Sequence, residues 1–216
     1  MILSKKLLIA STSLLAVFCL ESSFAQQNDV LPDYPNSYEI VRNIVDFPEG
    51  RSMGSGNAID VDSKGNIWVF ERCGGNNGAC PESDVDPVLQ FSPGGDLLFS
   101  FGSGMFVWPH GVVVDDDDNL WLIDAGIIEG EKGNQIFKFT PEGELLLVLG
   151  EPGIRGDAPG EFNEPSDLAI GADGSLYIVD GHINPESNRR IVHMTADGQF
   201  IEAWGEKGYG PLQFEG

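Results

Sequence analysis

The chain has 216 residues, enough for one domain or two small ones, and a formal charge of −22 from 12 Lys and Arg against 34 Asp and Glu. That balance argues against nucleic acid and anionic membrane surfaces as partners, because both need clustered positive charge. Hydrophobic residues at 41% permit a packed core, while 28 Gly and 13 Pro at turn-like positions point to many short strands rather than a helical bundle.

In chain order, Met1 to about Ala25 reads as a cleavable secretory signal. Lys5 and Lys6 supply the positive start, Leu7 to Leu20 the apolar stretch, and Ser23-Phe24-Ala25 the small-x-small cleavage site. The apolar run is short for a membrane span, which needs ~20 residues, although a retained anchor is the competing reading. Cys19 raises a lipoprotein, but Phe18 stands where lipidation wants a small residue. The expected location is therefore secreted or periplasmic. After cleavage two cysteines remain, Cys73 and Cys80, and an oxidising compartment favours a local disulfide between them. A pair of metal thiolates is the alternative, but zinc would need further Cys or His nearby.

From residue 26 onward the chain reads as a repeat. Ile59–Val69, Val112–Leu122 and Leu168–Ile178 are each an apolar strand, a tight Asp/Gly/Asn turn and a second strand carrying an aromatic residue. Ile67, Leu120 and Leu176 are equivalent, at intervals of 53 and 56 residues. A second hairpin follows each first one, at Val88–Leu98, Ile136–Leu146 and Ile191–Ile201. Four short antiparallel strands recurring near that period predict an all-β chain of β-propeller blades, at about 55–108, 109–164 and 165–216.

The linkers repeat too: Phe106-Val107-Trp108-Pro109 matches Phe162-Asn163-Glu164-Pro165. Tyr38–Ile44 reads as the fourth strand of a blade, the piece that closes a propeller ring. Three units and one such strand do not close, since propellers use ~4–8 blades, so the expectation is about half of a larger propeller with proline as the next residue after Gly216. A half-propeller that dimerises to cover its edges is the competing reading.

The units resemble NHL repeats over nearly all of the chain beyond the signal, through Pro-x-x-Val/Leu, Asp-x-Asn/Gly, Ile/Leu-Trp/Tyr and the closing Gly-x-Phe-x-x-Pro. More narrowly, the order and spacing are similar to those of the peptidyl-α-hydroxyglycine α-amidating lyase family, a six-bladed secreted propeller. Trp108-Pro109-His110-Gly111 is similar to that family's Pro-His-Gly-Leu motif. Val69-Phe70-Glu71-Arg72 resembles its early strand ending in arginine, and Asp180-Gly181-His182 with Asn188-Arg189-Arg190-Ile191-Val192 resembles its Asp-Gly-Tyr and Asn-x-Arg-Ile-Val stretch.

The resemblance implies that His110 is one of three histidines from alternate blades holding a catalytic zinc, an open three-His geometry. A hydrogen-bonded channel-mouth histidine without metal is the other reading of His110. Arg72 would be a catalytic arginine binding substrate oxygens with a fixed, permanently charged fork, or else a surface arginine paired with Glu71 or Glu82. His182 stands where the family has a catalytic tyrosine; an imidazole there could serve as base or as an extra metal ligand, and the substitution bears on the substrate. A structural calcium held by hub backbone carbonyls would fall on Ile59 and Val112. Asp115–Asp118 is instead a hairpin turn without the spacing of a calcium loop, and His193 is expected to face solvent.

Two functional classes follow. One is a zinc-dependent lyase that cleaves the C–N bond of a peptide-derived hydroxyglycine amide to an amide and glyoxylate. The other is a propeller that binds a peptide, glycan or protein without chemistry. A metal-dependent hydrolase or lactonase would need carboxylate ligands at the strand starts, which the sequence does not offer. No membrane span is expected once the signal is removed.

Overall fold

The computed structural model describes residues 38, 39, 41, 42, 44–47, 50–74 and 80–214. The segment 1–25, expected to be a secretory signal, and the tip of the Cys73–Cys80 loop lie outside the described residues. Contacts divide the chain into two units at position 40, and the second, Val41–Gly216, carries every described strand.

Three four-stranded antiparallel sheets follow one another along the chain. The first comprises β1 (Gly56–Val61), β2 (Ile67–Glu71), β3 (Val88–Phe91) and β4 (Leu97–Phe101). The second comprises β5 (Pro109–Val114), β6 (Leu120–Ile128), β7 (Lys132–Phe139) and β8 (Leu145–Leu149). The third comprises β9 (Pro165–Ile170), β10 (Leu176–Asp180), β11 (Arg190–Met194) and β12 (Phe200–Trp204). A short parallel pair, β13 (Glu206–Lys207) and β14 (Gln213–Phe214), follows. Within each sheet the strands meander in sequence order, so every connection is a hairpin. No helix among the described residues is long and apolar enough to cross a membrane.

The hairpin turns form because one side chain replaces the missing ladder. Asp62 accepts from the amides of Lys64 and Asn66, from the Asn66 side chain and from the Trp68 indole. Asp115 repeats the pattern with Asp117, Asn119 and Trp121, and adds Lys138 at 2.8 Å. Those donors hold both carboxyls below the usual carboxylate range, against the opposing effect of burial. In the third sheet Gly171 replaces the aspartate, and Tyr177 stacks on His193 at 4.5 Å instead. His193 is thus half-buried and 3.7 Å from Glu202, which corrects the expectation that it faces solvent.

Cores form between consecutive sheets. Trp68, Phe70 and Val88 of the first meet Leu120, Leu122 and Phe137 of the second, with Phe106 from the linker between them. Trp121, Ile123 and Ile136 of the second meet Leu176, Ile178 and Val192 of the third, with Phe162 in the same role. Alternate residues of each middle strand therefore serve opposite faces, as a pleated strand requires. The rear of the first sheet, Val69, Leu89 and Phe91, is covered by Val45 and Phe47. Of the predicted strand 38–44, the described positions belong to no strand, and it is the following residues 45–47 that pack. The equivalent forward face of the third sheet is more open. Val179 is 39% exposed where Phe70 and Ile123 are fully buried, and Phe214 is 38% exposed where Phe106 and Phe162 are fully buried.

Candidate functional site

Register decides where chemistry gathers. The start of each first strand pairs with the fifth residue of each second strand: Pro109 with Asp124, Pro165 with Asp180. The residues just after β2 and β10 and those opening β5 and β9 therefore share one rim of the sheets. This brings together Arg72, Trp108, His110 and His182 from three consecutive units.

Trp108 is the hub of that group. The Arg72 guanidinium lies 4.7 Å over its indole, the His182 ring meets it edge-on at 5.0 Å, and the His110 ring at 5.8 Å. His110 and His182 are themselves 4.7 Å apart, edge to face. Arg72 Nε donates to the Pro109 carbonyl at 3.2 Å, so the fork is anchored to the strand that carries His110. Glu71 is not its partner: that carboxylate is fully buried and paired with Arg51 at 2.7 Å. Cys73 and Cys80 form the expected disulfide, tying down the residue next to Arg72.

His110 Nδ1 lies 2.7 Å from the Ser166 carbonyl oxygen of the next unit. A carbonyl only accepts, so Nδ1 carries the proton and Nε2 the lone pair. Burial holds the His110 pKa below its ordinary value, with the positive charges of His182 and Arg72 acting the same way; the Ser166 carbonyl and Asp167 oppose this. Burial also lowers the His182 pKa, helped by Arg72 and Arg189 and opposed by Glu164. Desolvation lowers Arg72 as well, from a value so high that the guanidinium stays charged.

The segment that presents His182 is built around Ser187. The His182 amide donates to Ser187 Oγ at 3.0 Å, and the Ser187 amide closes a turn onto the Asn184 carbonyl. Arg189 clasps the turn by donating to the carbonyls of Asn184 and Asn188. The Asn184–Ser187 stretch that interrupts the repeat is thus an ordered turn. Beside it, Glu164 accepts from Asn184 Nδ2 at 3.0 Å through Oε1. Four buried side-chain atoms in this region make no hydrogen bond: Asn163 Oδ1, Glu164 Oε2, His182 Nδ1 and Arg189 Nε.

Sequence reasoning missed one recurring group. Glu71, Asp124 and Asp180 are each the fifth residue of the second strand of their unit, are fully buried, and stand at the same 53- and 56-residue intervals as the strands. Each accepts the backbone amide 17 residues earlier, at Gly54, Val107 and Asn163. Glu71 and Asp180 also meet Arg51 and Arg190. Asp124 has no such ion pair, and burial raises its pKa to about 6 despite three backbone donors. Trp108 was also missed as a site residue; its signal is an aromatic directly before the Pro-His pair.

His110 suits a zinc ligand, since its Nδ1–H is committed to a carbonyl and the lone pair lies on Nε2. Among the described residues, however, no group of three or more His, Cys, Asp and Glu could hold a metal ion. Ile59 and Val112 occupy equivalent ladder positions, opposite Val69 and Leu122, on the first strands of adjacent sheets.

Fold and rim together define an all-β, NHL-type propeller unit array. No family model matches the chain. It is 31% identical to mouse peptidyl-glycine alpha-amidating monooxygenase over 172 residues, 78% of this chain and 16% of that protein. It is 27% identical to Drosophila melanogaster peptidyl-alpha-hydroxyglycine alpha-amidating lyase 1, over 76% of this chain and 31% of that protein. It is 32% identical to mouse NHL repeat-containing protein 3, over 72% of this chain and 43% of that protein. The chain is therefore an NHL-repeat propeller protein related to the amidating lyases, and it spans less than half the length of each of these relatives.

Proposed function

We propose that the rim formed by Arg72, Trp108, His110 and His182 is part of a carbon–nitrogen lyase site of a secreted or periplasmic protein, acting on a peptide-derived α-hydroxyglycine amide. The observation that carries this reading is the convergence of one fixed cation and two imidazoles of lowered pKa on a single indole. Each element suits a step. Arg72, held over Trp108 and bonded to Pro109, would fork onto the substrate carboxylate and orient the carbon that breaks. His182, neutral at physiological pH, would take the hydroxyl proton; as the C–N bond breaks, that proton passes to the departing amide nitrogen. The hydroxyl oxygen becomes the aldehyde of glyoxylate, so atoms balance with no oxidant.

His110 would contribute one imidazole to a zinc ion whose other ligands lie beyond the described set, and a calcium between the first strands would draw on the Ile59 and Val112 carbonyls. Zinc when bound polarises substrate oxygens. The deciding experiment is release of glyoxylate from an N-acyl-α-hydroxyglycine by the purified full-length protein, with bound zinc measured in the same sample. Release that is lost in Arg72→Ala and His182→Ala supports the reading. Saturable binding of an amidated peptide without release would instead favour a binding propeller. That second reading draws on a largely apolar groove of about 360 Å³ beside His182, lined by Val179, Ile183, Ile191 and Phe214.

A further inference from the structure

Two features of the chain have no part in the chemistry proposed for the rim. One is the Cys73–Cys80 bridge; the other is the length of β6, which has nine residues where β2 and β10 have five. They meet beside Arg72. The ladder that orients β2 ends at Glu71, opposite Gly56, so Arg72 and Cys73 follow it without strand pairing. Cys73 then takes a φ of +51°, a left-handed conformation that favours glycine. Glu71 Oε2 accepts from the Gly74 amide at 2.9 Å and closes a turn around it. The other half of the bridge is held by the second unit. Cys80 is buried, and its amide donates to the Val107 carbonyl at 2.7 Å. Lys132 opens β7 at the return of the long hairpin, and its Nζ donates to the Pro81 carbonyl at 3.0 Å and to the Gly104 carbonyl at 2.8 Å. Asp124 in turn accepts from the amides of Val107 and Trp108, at 2.8 and 2.6 Å. A closed circuit results, from Arg72 through Cys73, the disulfide, Cys80 and Val107 to Trp108, and back through the guanidinium over the indole at 4.7 Å.

We propose that the Cys73–Cys80 bridge and Lys132 form a clamp that positions Arg72 on Trp108, the disulfide as its covalent part and Lys132 as its anchor on the second unit. The contacts that Arg72 makes with its own side chain, the indole stack and the bond to the Pro109 carbonyl, are each weak. They hold a long side chain in one place only if the backbone beneath it is already fixed, and the clamp removes that backbone freedom. Reduction by a dithiol breaks the S–S bond, leaves a thiol on each cysteine and oxidises the dithiol to its own disulfide. Cys73 is then tied to Cys80 only through the intervening chain, and Arg72 is released from Trp108.

Exchange of the Arg72 Nε–H with water reads the clamp without substrate, because that proton is held on the Pro109 carbonyl. It is followed by nitrogen NMR of the full-length protein, with the signal assigned by its absence in Arg72→Ala. Excess dithiothreitol should speed the exchange roughly 10-fold while the backbone spectrum stays folded, as expected when a local opening is no longer opposed by a cross-link. Cys73→Ser with Cys80→Ser should match the reduced protein and no longer respond to the dithiol. If loss of the bridge unfolds the protein, Lys132→Met keeps the bridge, releases Pro81 and Gly104, and should still speed the exchange severalfold. An unchanged rate in the reduced and folded protein, or in Lys132→Met, overturns the proposal. In turnover the inference rests on the reading of Arg72 as the fork on substrate. Reduction should lower kcat/KM for glyoxylate release roughly 10-fold, the effect of an orienting group that is displaced but still present. It should have no further effect in Arg72→Ala, whereas a merely structural bridge would weaken both backgrounds alike. No release in either redox state, with exchange that still follows the bridge, defeats the lyase reading alone. Release that ignores the redox state, with exchange unmoved, defeats the clamp alone.

Discussion

Arg72 shows how a single side chain is made useful by what surrounds it. Its flat fork rests on the Trp108 face while Nε holds the Pro109 carbonyl, so the terminal nitrogens are oriented before any substrate arrives. Lysine can neither stack flat nor donate in a fork. Both Arg72→Lys and Arg72→Ala should therefore lower kcat/KM for glyoxylate release by roughly 100-fold, the cost of removing a fixed donor from a developing charge. The lowered pKa of His182 carries a pH prediction. A base works only when neutral, so activity should rise with pH along a limb whose midpoint lies below 6.5 and then level off. A limb at or above 6.5 would show that His182 is not the base. The disulfide acts on the same corner. Cys73→Ser with Cys80→Ser should cost about 2–3 kcal/mol in denaturant unfolding, by the loop-closure estimate for a short cross-link.

At the scale of the element, the buried carboxylates rank themselves. Removing Glu71 or Asp180 strands a largely buried arginine, a loss of about 3–5 kcal/mol. Removing Asp124 strands backbone amides only, about 1–3 kcal/mol. Urea titration of the three alanine variants should reproduce that order. Asp124 also sets a pH dependence. Its folded pKa, about 6, lies above the ordinary 3.8, so the folded chain binds more protons between those values. Its contribution to stability is therefore fully present below 3.8 and is lost as pH rises to about 6. Asp124→Asn should remove that decline from a series of unfolding midpoints.

The hairpins themselves were legible in the sequence, because Asp-x-Asn and Asp-Gly turns between alternating apolar strands leave the backbone little choice. The buried acids were not. A carboxylate reads as solvated until its donors are known, and those donors are backbone amides with no signature of their own. The extension of β6 and β7 past Asp124, to a tight turn at Glu129–Glu131, was equally hidden, since its residues are mostly polar and glycine-rich. Of the site, His110, Arg72 and His182 were legible only through resemblance. Their meeting on Trp108 is a product of register.

For the whole unit Val41–Gly216, the two ends of the sheet stack differ. The rear is covered by Val45 and Phe47, while the forward face of the third sheet leaves Val179 and Phe214 more than a third exposed. Concentration-dependent self-association through that face is the expected behaviour of the chain as it stands. Light scattering should show it, and Val179→Asp should suppress it. An unchanged molecular mass across concentrations would mean that this face does not associate.

The buried carboxylates have one more consequence. Each clasp reaches back across a unit boundary, always to an amide 17 residues upstream, so every acid ties the linker before its unit to its own second strand. Duplication or loss of a sheet together with the linker that precedes it would leave every remaining clasp intact, while the apolar seams and the polar contacts between sheets, such as His110 to Ser166, would need to find new neighbours. A protein made this way can change its number of blades in evolution without inventing a new fold, and each unit can begin to fold as soon as its own second strand has left the ribosome.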